Sequence, residues 1–323
     1  MKLKKTKLNG KFGILLDEVT TDDLENKSFQ AEAYNLWGAC GGLLVIRGSS
    51  LSKLTPKSFI SWANIFGKVE MVPQAAREDK MVKGHPILRI GNTRDSSGKE
   101  LAQFAKVPQL KNDLDICYNP ETRRPVWHTD STFRCNPPIG SVFHCKIAPP
   151  EGSDTLFADT RSSYADLDDH LKKKLASLEA ICSLAHHDKK ISLYSPGYPT
   201  LTPKQREKNP PRRVPIVLEH PVTGVKALYG FNSSTCAVLP KGKKLSKNKL
   251  DLCDLEGVED ESVLILRDLL PIITKPKYTV RWRWNSGDTV IWDNRCTIHA
   301  ATGYEYEKYN REMWRLTLLD RAY

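Results

Sequence analysis

From residue 85 onward the sequence consists largely of short apolar segments separated by glycine, proline and asparagine. Segments of about four to eight residues that are bounded by turn residues are typical of β-strands. The candidates are residues 87–90, 142–145, 214–218, 227–229, 278–284 and 289–292. Such a series of short strands favours a sandwich or a closed jelly roll. We therefore predict a mostly β fold with flanking helices.

Helices are predicted before and between these strands. Apolar residues recur at helical spacing in residues 22–37, 162–185 and 259–270. Thr55 and Pro56 predict the start of a further helix that runs to residue 67, because threonine caps a first turn and proline fits its first position. Residues 41–46 predict a short buried strand. We expect a single domain over residues 1–323, in which a helical and strand scaffold (1–84) accompanies a jelly-roll core (85–323).

Residues 188–221 are rich in proline, at positions 196, 199, 203, 210, 211, 215 and 221. This composition predicts a long irregular loop, and long loops in compact domains are often functional. We expect about residues 188–215 to be an inserted mobile lid. Tyr194 and Tyr198 are the lid side chains that we expect to reach a substrate.

The composition is that of a globular protein, with 40% hydrophobic and 27% charged residues in a chain of 323. Forty-nine Lys and Arg against 38 Asp and Glu give a net charge of +11, which favours an anionic partner. The lysine-rich stretches 2–7, 172–174 and 241–249 contain few aromatic residues, so they predict solvated faces rather than a nucleic-acid groove. No apolar stretch approaches the ~20 residues of a membrane span. We expect neither a nucleic-acid nor a membrane partner.

The eight cysteines, at positions 40, 117, 135, 145, 182, 236, 253 and 296, include no Cys-x-x-Cys pair. Their scatter gives no zinc or redox signature and indicates buried free thiols in a reducing compartment. The apolar run 12–16 is followed by Asp17 and is too short for a signal peptide. We expect a cytoplasmic protein.

The segment Val126-Trp127-His128-Thr129-Asp130 contains a candidate metal-binding pair. In an extended strand the side chains of His128 and Asp130 point to the same side, because residues two apart share a face. A second histidine would complete two imidazoles and one carboxylate, a set that binds non-haem Fe(II) and leaves positions open. His299 is the candidate for that histidine.

A second group of candidate residues lies near the C-terminus. Residues 281–292 predict a hairpin closed by Asp293-Asn294-Arg295, and His299 follows six residues after Asp293. Arg315 lies 16 residues beyond His299 within an apolar strand. A guanidinium that faces inward from such a strand requires a desolvated anion, and a carboxylate bound through two hydrogen bonds is the natural partner.

Taken together, these motifs resemble the taurine dioxygenase/dichlorophenoxyacetate dioxygenase family of Fe(II)- and 2-oxoglutarate-dependent oxygenases. The matching motifs are Trp127-His128-Thr129-Asp130, Gly152-Ser153-Asp154-Thr155, His220-Pro221-Val222-Thr223-Gly224, Trp292-Asp293-Asn294-Arg295, and His299 with Arg315. They follow the family's order and approximate spacing, and the resemblance covers about residue 40 to the end.

The resemblance implies that His128, Asp130 and His299 bind the iron. It also implies that Arg315 pairs with the distal carboxylate of 2-oxoglutarate and that Thr155 donates a hydrogen bond to the same end. The family fold is a double-stranded β-helix, the jelly roll of cupin-like proteins. The implied cofactors are Fe(II), the co-substrate 2-oxoglutarate and O2, with release of succinate and CO2 as a C–H bond of the substrate is oxidised.

Several alternatives remain open at this stage. Arg311 shares a strand face with Arg315 and could be the keto-acid anchor, although the family spacing favours Arg315. Other histidines, at positions 144, 170, 186, 187 and 220, are expected to be structural or surface residues. A serine hydrolase is disfavoured because the sequence has no Gly-x-Ser-x-Gly. A non-enzymatic anion- or nucleic-acid-binding protein would be expected to lack one of the three ligands.

The substrate is expected to be a small molecule with a carboxylate. Where taurine-cleaving members have a histidine and a tyrosine, this chain has Val72-Pro73-Gln74-Ala75, which argues against taurine and leaves Gln74 as a substrate-side candidate. Arg123 and Arg124 precede His128 by five and four residues, within about 13–18 Å by chain reach. We expect one of them, preferably Arg124, to bind a carboxylate of an amino acid or its derivative. The alternative outcome is oxidative cyclisation or desaturation of an amino-acid-derived natural product, as in kainoid synthases.

Overall fold

A computed structural model describes residues 4–71, 78–103, 127–192, 200–243 and 259–320. The strands in these residues are β1 (Lys4–Asn9), β2 (Phe12–Asp17), β3 (Leu43–Ile46), β4 (Lys68–Val69), β5 (Leu88–Gly91), β6 (Gly140–Ile147), β7 (Thr155–Asp159), β8 (Leu178–Cys182), β9 (Arg212–Pro215), β10 (Val217–Glu219), β11 (Lys226–Leu228), β12 (Thr235–Pro240), β13 (Thr279–Trp282), β14 (Thr289–Asp293), β15 (Thr297–Ala301) and β16 (Glu312–Leu319). The helices are α1 (Thr21–Glu25), α2 (Lys27–Ala39), α3 (Pro56–Ala63), α4 (Thr160–Ala165), α5 (Asp169–Ala176), α6 (Leu184–Ser192), α7 (Pro203–Lys208) and α8 (Leu264–Ile273).

The largest sheet has eight strands in the order β1-β2-β3-β14-β6-β16-β4, and β5 also pairs with β16. All its pairings are antiparallel except that of β2 with β3. Because β3 pairs directly with β14, the N-terminal strands belong to the same sheet as the C-terminal half. The described strands β1 to β4 of the expected scaffold (1–84) therefore lie in one sheet with strands of the expected core.

A second layer consists of the sheet β13-β7-β15, and further small sheets are formed by β12-β8-β9 and by β10-β11. Phe157 of β7 and Trp282 of β13 pack against Val45, Val290 and Trp292 of the large sheet. Two facing sheets closed by a shared apolar core form a jelly roll, so the predicted fold class is confirmed.

Helices α2 and α3 cover the outer face of the large sheet. Phe59 and Trp62 of α3 are almost completely buried among sheet residues such as Leu316 and Leu318. Burial of each such side chain contributes about 1.5–3 kcal/mol. The predicted start of α3 is confirmed, since Thr55 Oγ1 accepts a hydrogen bond from the backbone of Ser58 and Pro56 is the first helical residue. None of the described helices is long and apolar enough to cross a bilayer.

The single helix predicted over residues 162–185 is wrong. The segment contains the end of α4, then α5, the strand β8 and the start of α6. Asp168 caps a new helix by accepting a hydrogen bond from the backbone of Leu171. β8 then forms ladders on both sides, with β9 and with β12, and these pairings override the helical periodicity.

The prediction of an irregular loop over residues 188–221 is also wrong for its described part. Residues up to Ser192 continue α6, and Thr202 starts α7 through a reciprocal cap with Gln205. β9 pairs with β8 over its whole length. The mobility of residues 188–215 stays a prediction, and Tyr194 and Tyr198 lie outside the described residues.

Candidate active site

The two predicted histidine ligands are brought together by one antiparallel bridge. His299 lies in the middle of β15, and its backbone N–H and carbonyl exchange hydrogen bonds of 2.9 Å with those of His128. Of the extended segment predicted at residues 128–130, only His128 forms a β-bridge, and its partner is His299. Ser131 has φ of 49°, so the chain turns away directly after Asp130.

The three predicted ligands converge on one point. Asp130 Oδ1 lies 3.8 Å from Nε2 of His128 and 3.8 Å from Nε2 of His299. All three ligand atoms lie within 4.8 Å of one another. Two imidazoles and one carboxylate on one side of an ion are the donor set of non-haem Fe(II) sites with open positions, so these residues fit such a metal.

The surroundings keep these groups in the protonation states that bind metal. Burial, followed by the nearby His128, lowers the pKa of His299 to about 3, so its imidazole is neutral at pH 7. Burial alone would raise the pKa of Asp130, but Arg315 and the two imidazoles hold that pKa below its usual value. A neutral imidazole and an ionised carboxylate are the forms that coordinate a cation.

The second oxygen of Asp130 is held by two neighbouring side chains. Arg315 Nη2 lies 2.8 Å from Oδ2, and Ser141 Oγ donates to the same oxygen at 3.1 Å. Arg315 also donates to Ser141 Oγ at 3.3 Å. These contacts direct Oδ1 of Asp130 toward the imidazoles, as outer partners of metal ligands commonly do. The sequence predicted β6 as a strand but gave no signal for Ser141.

Thr155, the first residue of β7, is buried and oriented by an indole. Nε1 of Trp284 donates to Thr155 Oγ1 at 3.0 Å. A hydroxyl group that accepts this bond still has its own proton to donate. Thr155 is therefore available as a donor to a ligand.

Arg311, directly before β16, is 9% exposed, and its Nε has no hydrogen-bond partner among the described residues. Burial lowers the pKa of its guanidinium, and the groups that counteract this are the Cys145 thiol and the Tyr304 phenol rather than a carboxylate. A buried cation without an anionic partner is strongly unfavourable. Arg311 is thus positioned to bind an anion that is not part of the described chain.

A second group of ligand-type residues, His220, Asp293 and Cys296, is satisfied by internal hydrogen bonds. Nδ1 of His220 accepts from two backbone N–H groups at 3.2 Å, so Nε2 carries the proton and donates to Asp293 at 3.0 Å. Arg295 donates to both oxygens of Asp293. Asp293 and Arg295 therefore shape the turn that leads to β15, and we assign no metal to this group.

Gln74, Arg123 and Arg124 lie outside the described residues, as do Tyr194 and Tyr198.

The sequence matches a family model over nearly its whole length. The model, described as taurine catabolism dioxygenase TauD, TfdA family, matches residues 6–317. An alkylsulfatase of Acinetobacter baylyi is 32% identical over 277 residues, which are 77% of this chain and 76% of the relative. An alpha-ketoglutarate-dependent 2,4-dichlorophenoxyacetate dioxygenase of a Burkholderia species is 31% identical over 61% of this chain and 58% of the relative. The matches thus span about three fifths of the two dichlorophenoxyacetate dioxygenases found.

Solved structures share the fold at lower sequence identity. The crystal structure of AAD-2 in complex with Mn(II) and N-oxalylglycine has a TM-score of 0.70 and 24% identity, and the match covers 100% of this chain and 98% of that one. A taurine dioxygenase from Burkholderia xenovorans has a TM-score of 0.68 and 21% identity, with 99% and 92% coverage. These neighbours support the jelly-roll architecture described above.

Proposed function

The chain belongs to the taurine catabolism dioxygenase TauD, TfdA family, and we propose that it is an Fe(II)- and 2-oxoglutarate-dependent dioxygenase that oxidises an unactivated C–H bond of a small acidic substrate. The observation that carries this proposal is the convergence of His128, Asp130 and His299 on one point. When bound, Fe(II) with 2-oxoglutarate activates O2, and the co-substrate is converted to succinate and CO2.

The side chains of this protein hold the metal on one side and leave the other side open to ligands. His299 is neutral, and Asp130 is ionised and kept in place by Arg315 and Ser141. The side chain of His128 is 36% exposed whereas that of His299 is 9% exposed. We therefore place the entrance for co-substrate and substrate on the side of His128.

We assign the distal carboxylate of 2-oxoglutarate to Arg311 rather than to Arg315. The guanidinium of Arg315 is already paired with Asp130, whereas Arg311 is buried without a described carboxylate. Arg311 and Thr155 both adjoin one apolar cluster, Arg311 through Cys145 and Thr155 through Trp284. A guanidinium and a free hydroxyl proton in this region suit a carboxylate.

The substrate that we propose carries a carboxylate. The relatives include a 2,4-dichlorophenoxyacetate dioxygenase and an alkylsulfatase, so anionic substrates recur among them. In the sequence, Arg123 and Arg124 precede His128 by five and four residues. We propose that one of these arginines binds the substrate carboxylate and thereby fixes which C–H bond faces the metal.

A succinate-release screen tests the proposed function. Aryloxy acids, sulfonates, alkyl sulfates, amino acids and prenylated amino acids would be supplied with Fe(II), 2-oxoglutarate and O2. We expect a carboxylate-bearing compound to stimulate succinate release by the wild type and not by His128→Ala. Stimulation by neutral compounds alone would contradict the acidic substrate. Equal succinate release by wild type and variant would contradict the metal site.

A further inference from the structure

We infer that the hydroxyl of Tyr304 is a further co-substrate-binding group, which donates a hydrogen bond to the distal carboxylate of 2-oxoglutarate beside Arg311. This inference rests on the proposed function. Tyr304 Oη and Arg311 Nε are both buried and have no hydrogen-bond partner among the described residues. Buried polar atoms are nearly always paired, so two unpaired donors in one region indicate a shared acceptor.

The backbone places Tyr304 against the turn that ends in Thr155. The N–H of Ser153 donates to the carbonyl of Gly303 at 3.0 Å, and that of Thr302 donates to the carbonyl of Asp154 at 2.9 Å. A Cβ built on Gly152 would lie 3.1 Å from Cα and Cβ of Tyr304, so the two segments are in close contact. Tyr304 therefore lies beside the turn that supplies the predicted threonine donor.

Asn92 fixes the other end of the loop that carries Tyr304. Its Nδ2 donates to the carbonyls of Tyr306 at 2.8 Å and Tyr309 at 2.9 Å, and its Oδ1 accepts from the backbone of Arg311 at 2.7 Å. Residues 302–311 are thus held at both ends, by the Thr155 turn and by Asn92. This keeps Tyr304 and Arg311 in a defined relation to each other.

The phenol is in the protonation state that a donor needs. Burial raises the pKa of Tyr304, although the positive charge of Arg311 counteracts it. The phenol therefore retains its proton at neutral pH. Among the described residues, the groups that raise the pKa of Arg311 are this phenol and the Cys145 thiol, and neither supplies a negative charge at that pH.

The number of donors matches one carboxylate. An ionised carboxylate has two oxygens and about four acceptor sites. The fork of a guanidinium occupies two of them, the free proton of Thr155 a third and the hydroxyl of Tyr304 the fourth. In this arrangement each unpaired donor named above has an acceptor. The site therefore binds a keto acid with a second carboxylate more tightly than a keto acid without one.

The test compares keto acids with and without the distal carboxylate. Fe(II)-loaded wild type and Tyr304→Phe would be titrated anaerobically with 2-oxoglutarate and with 2-oxobutyrate, and binding followed by the visible absorption of the keto-acid complex. We expect Tyr304→Phe to bind 2-oxoglutarate about 10-fold more weakly, the loss typical of a hydrogen bond to a charged group. Its affinities for 2-oxobutyrate and for Fe(II) should be unchanged.

Tyr309→Phe is the matched control, because it removes a hydroxyl of the same loop that is hydrogen-bonded to exposed Lys308. It should bind both keto acids like the wild type. Unchanged affinity of Tyr304→Phe for 2-oxoglutarate, or equal weakening for both keto acids, would overturn the inference alone. If the wild type itself does not bind 2-oxoglutarate, the proposed function fails and the inference fails with it.

Discussion

The guanidinium of Arg315 lies 2.8 Å from Oδ2 of Asp130, while Oδ1 of the same carboxylate lies 3.8 Å from each imidazole. One side chain thus links the C-terminal strand to the candidate metal centre. Since partners of metal ligands orient them, Arg315→Met should lower the affinity for divalent metal by about 10- to 100-fold. The measurement is Mn(II) binding to the metal-free protein, followed by electron paramagnetic resonance.

A matched control for this change is Arg213→Met. Arg213 forms an ion pair of 3.0 Å with Glu179 in the sheet β12-β8-β9. It should leave Mn(II) affinity unchanged. If Arg315→Met binds Mn(II) as tightly as the wild type, Asp130 does not need the contact with Arg315 to bind the metal.

Arg311→Met is expected to separate co-substrate binding from metal binding. The guanidinium of Arg311 has no anionic partner among the described residues. Its removal should therefore raise the dissociation constant of 2-oxoglutarate by about 10-fold or more. Metal affinity should stay at the wild-type value. The opposite result, in which Arg315→Met weakens 2-oxoglutarate binding and Arg311→Met does not, would restore Arg315 as the anchor.

His144 should make the folded state sensitive to acid. Burial lowers the pKa of His144 to about 3 from an ordinary value of 6.5. Between these values the unfolded chain binds a proton that the folded chain does not, so stability is fully present above pH 6.5 and is lost as the pH falls. When the pH is lowered from 6.5 to 5, the free energy of unfolding should therefore fall less in His144→Leu than in the wild type. The difference should be up to about 2 kcal/mol. Urea titrations of the metal-free proteins measure this, and parallel pH profiles would contradict it.

The charge of the substrate can be tested at the two arginines before His128. Arg124→Met keeps the aliphatic stem and removes the charge, so KM for an acidic substrate should rise by about 10-fold or more. Arg123→Met provides the comparison. If KM is unchanged in both variants and a neutral substrate is turned over equally well, the carboxylate-bearing substrate is excluded.

Much of the fold could be predicted from the sequence because the strand pattern is local. Residues 142–145 and 289–292 have strand-like composition and turn boundaries, and both lie in strands of the large sheet. Residues 178–182 could not be assigned in this way. They continue a helical periodicity, and their strand conformation depends on pairing with β9 and β12, which are distant in sequence.

The part of the candidate site that could be predicted is the part identified by the order and spacing of sequence motifs. His128, Asp130 and His299 were identified from motifs, the family membership that these motifs implied is confirmed, and the structure brings the three side chains together. Between Arg311 and Arg315, which share a strand face because they are four residues apart, the family spacing favoured Arg315 as the keto-acid anchor. Our proposal of Arg311 rests instead on the contacts of Arg315 with Asp130 and Ser141, and the position of Ser141 on β6 has no sequence signal.

The most direct test of the metal centre is an anaerobic titration of the protein with Fe(II) and then 2-oxoglutarate. We predict a weak visible charge-transfer band in the wild type, which requires a metal held by three protein ligands with two neighbouring positions free for the keto acid. His128→Ala should lose metal affinity and the band together. Full metal affinity and turnover in His128→Ala would contradict the assignment of His128, Asp130 and His299 as the iron ligands.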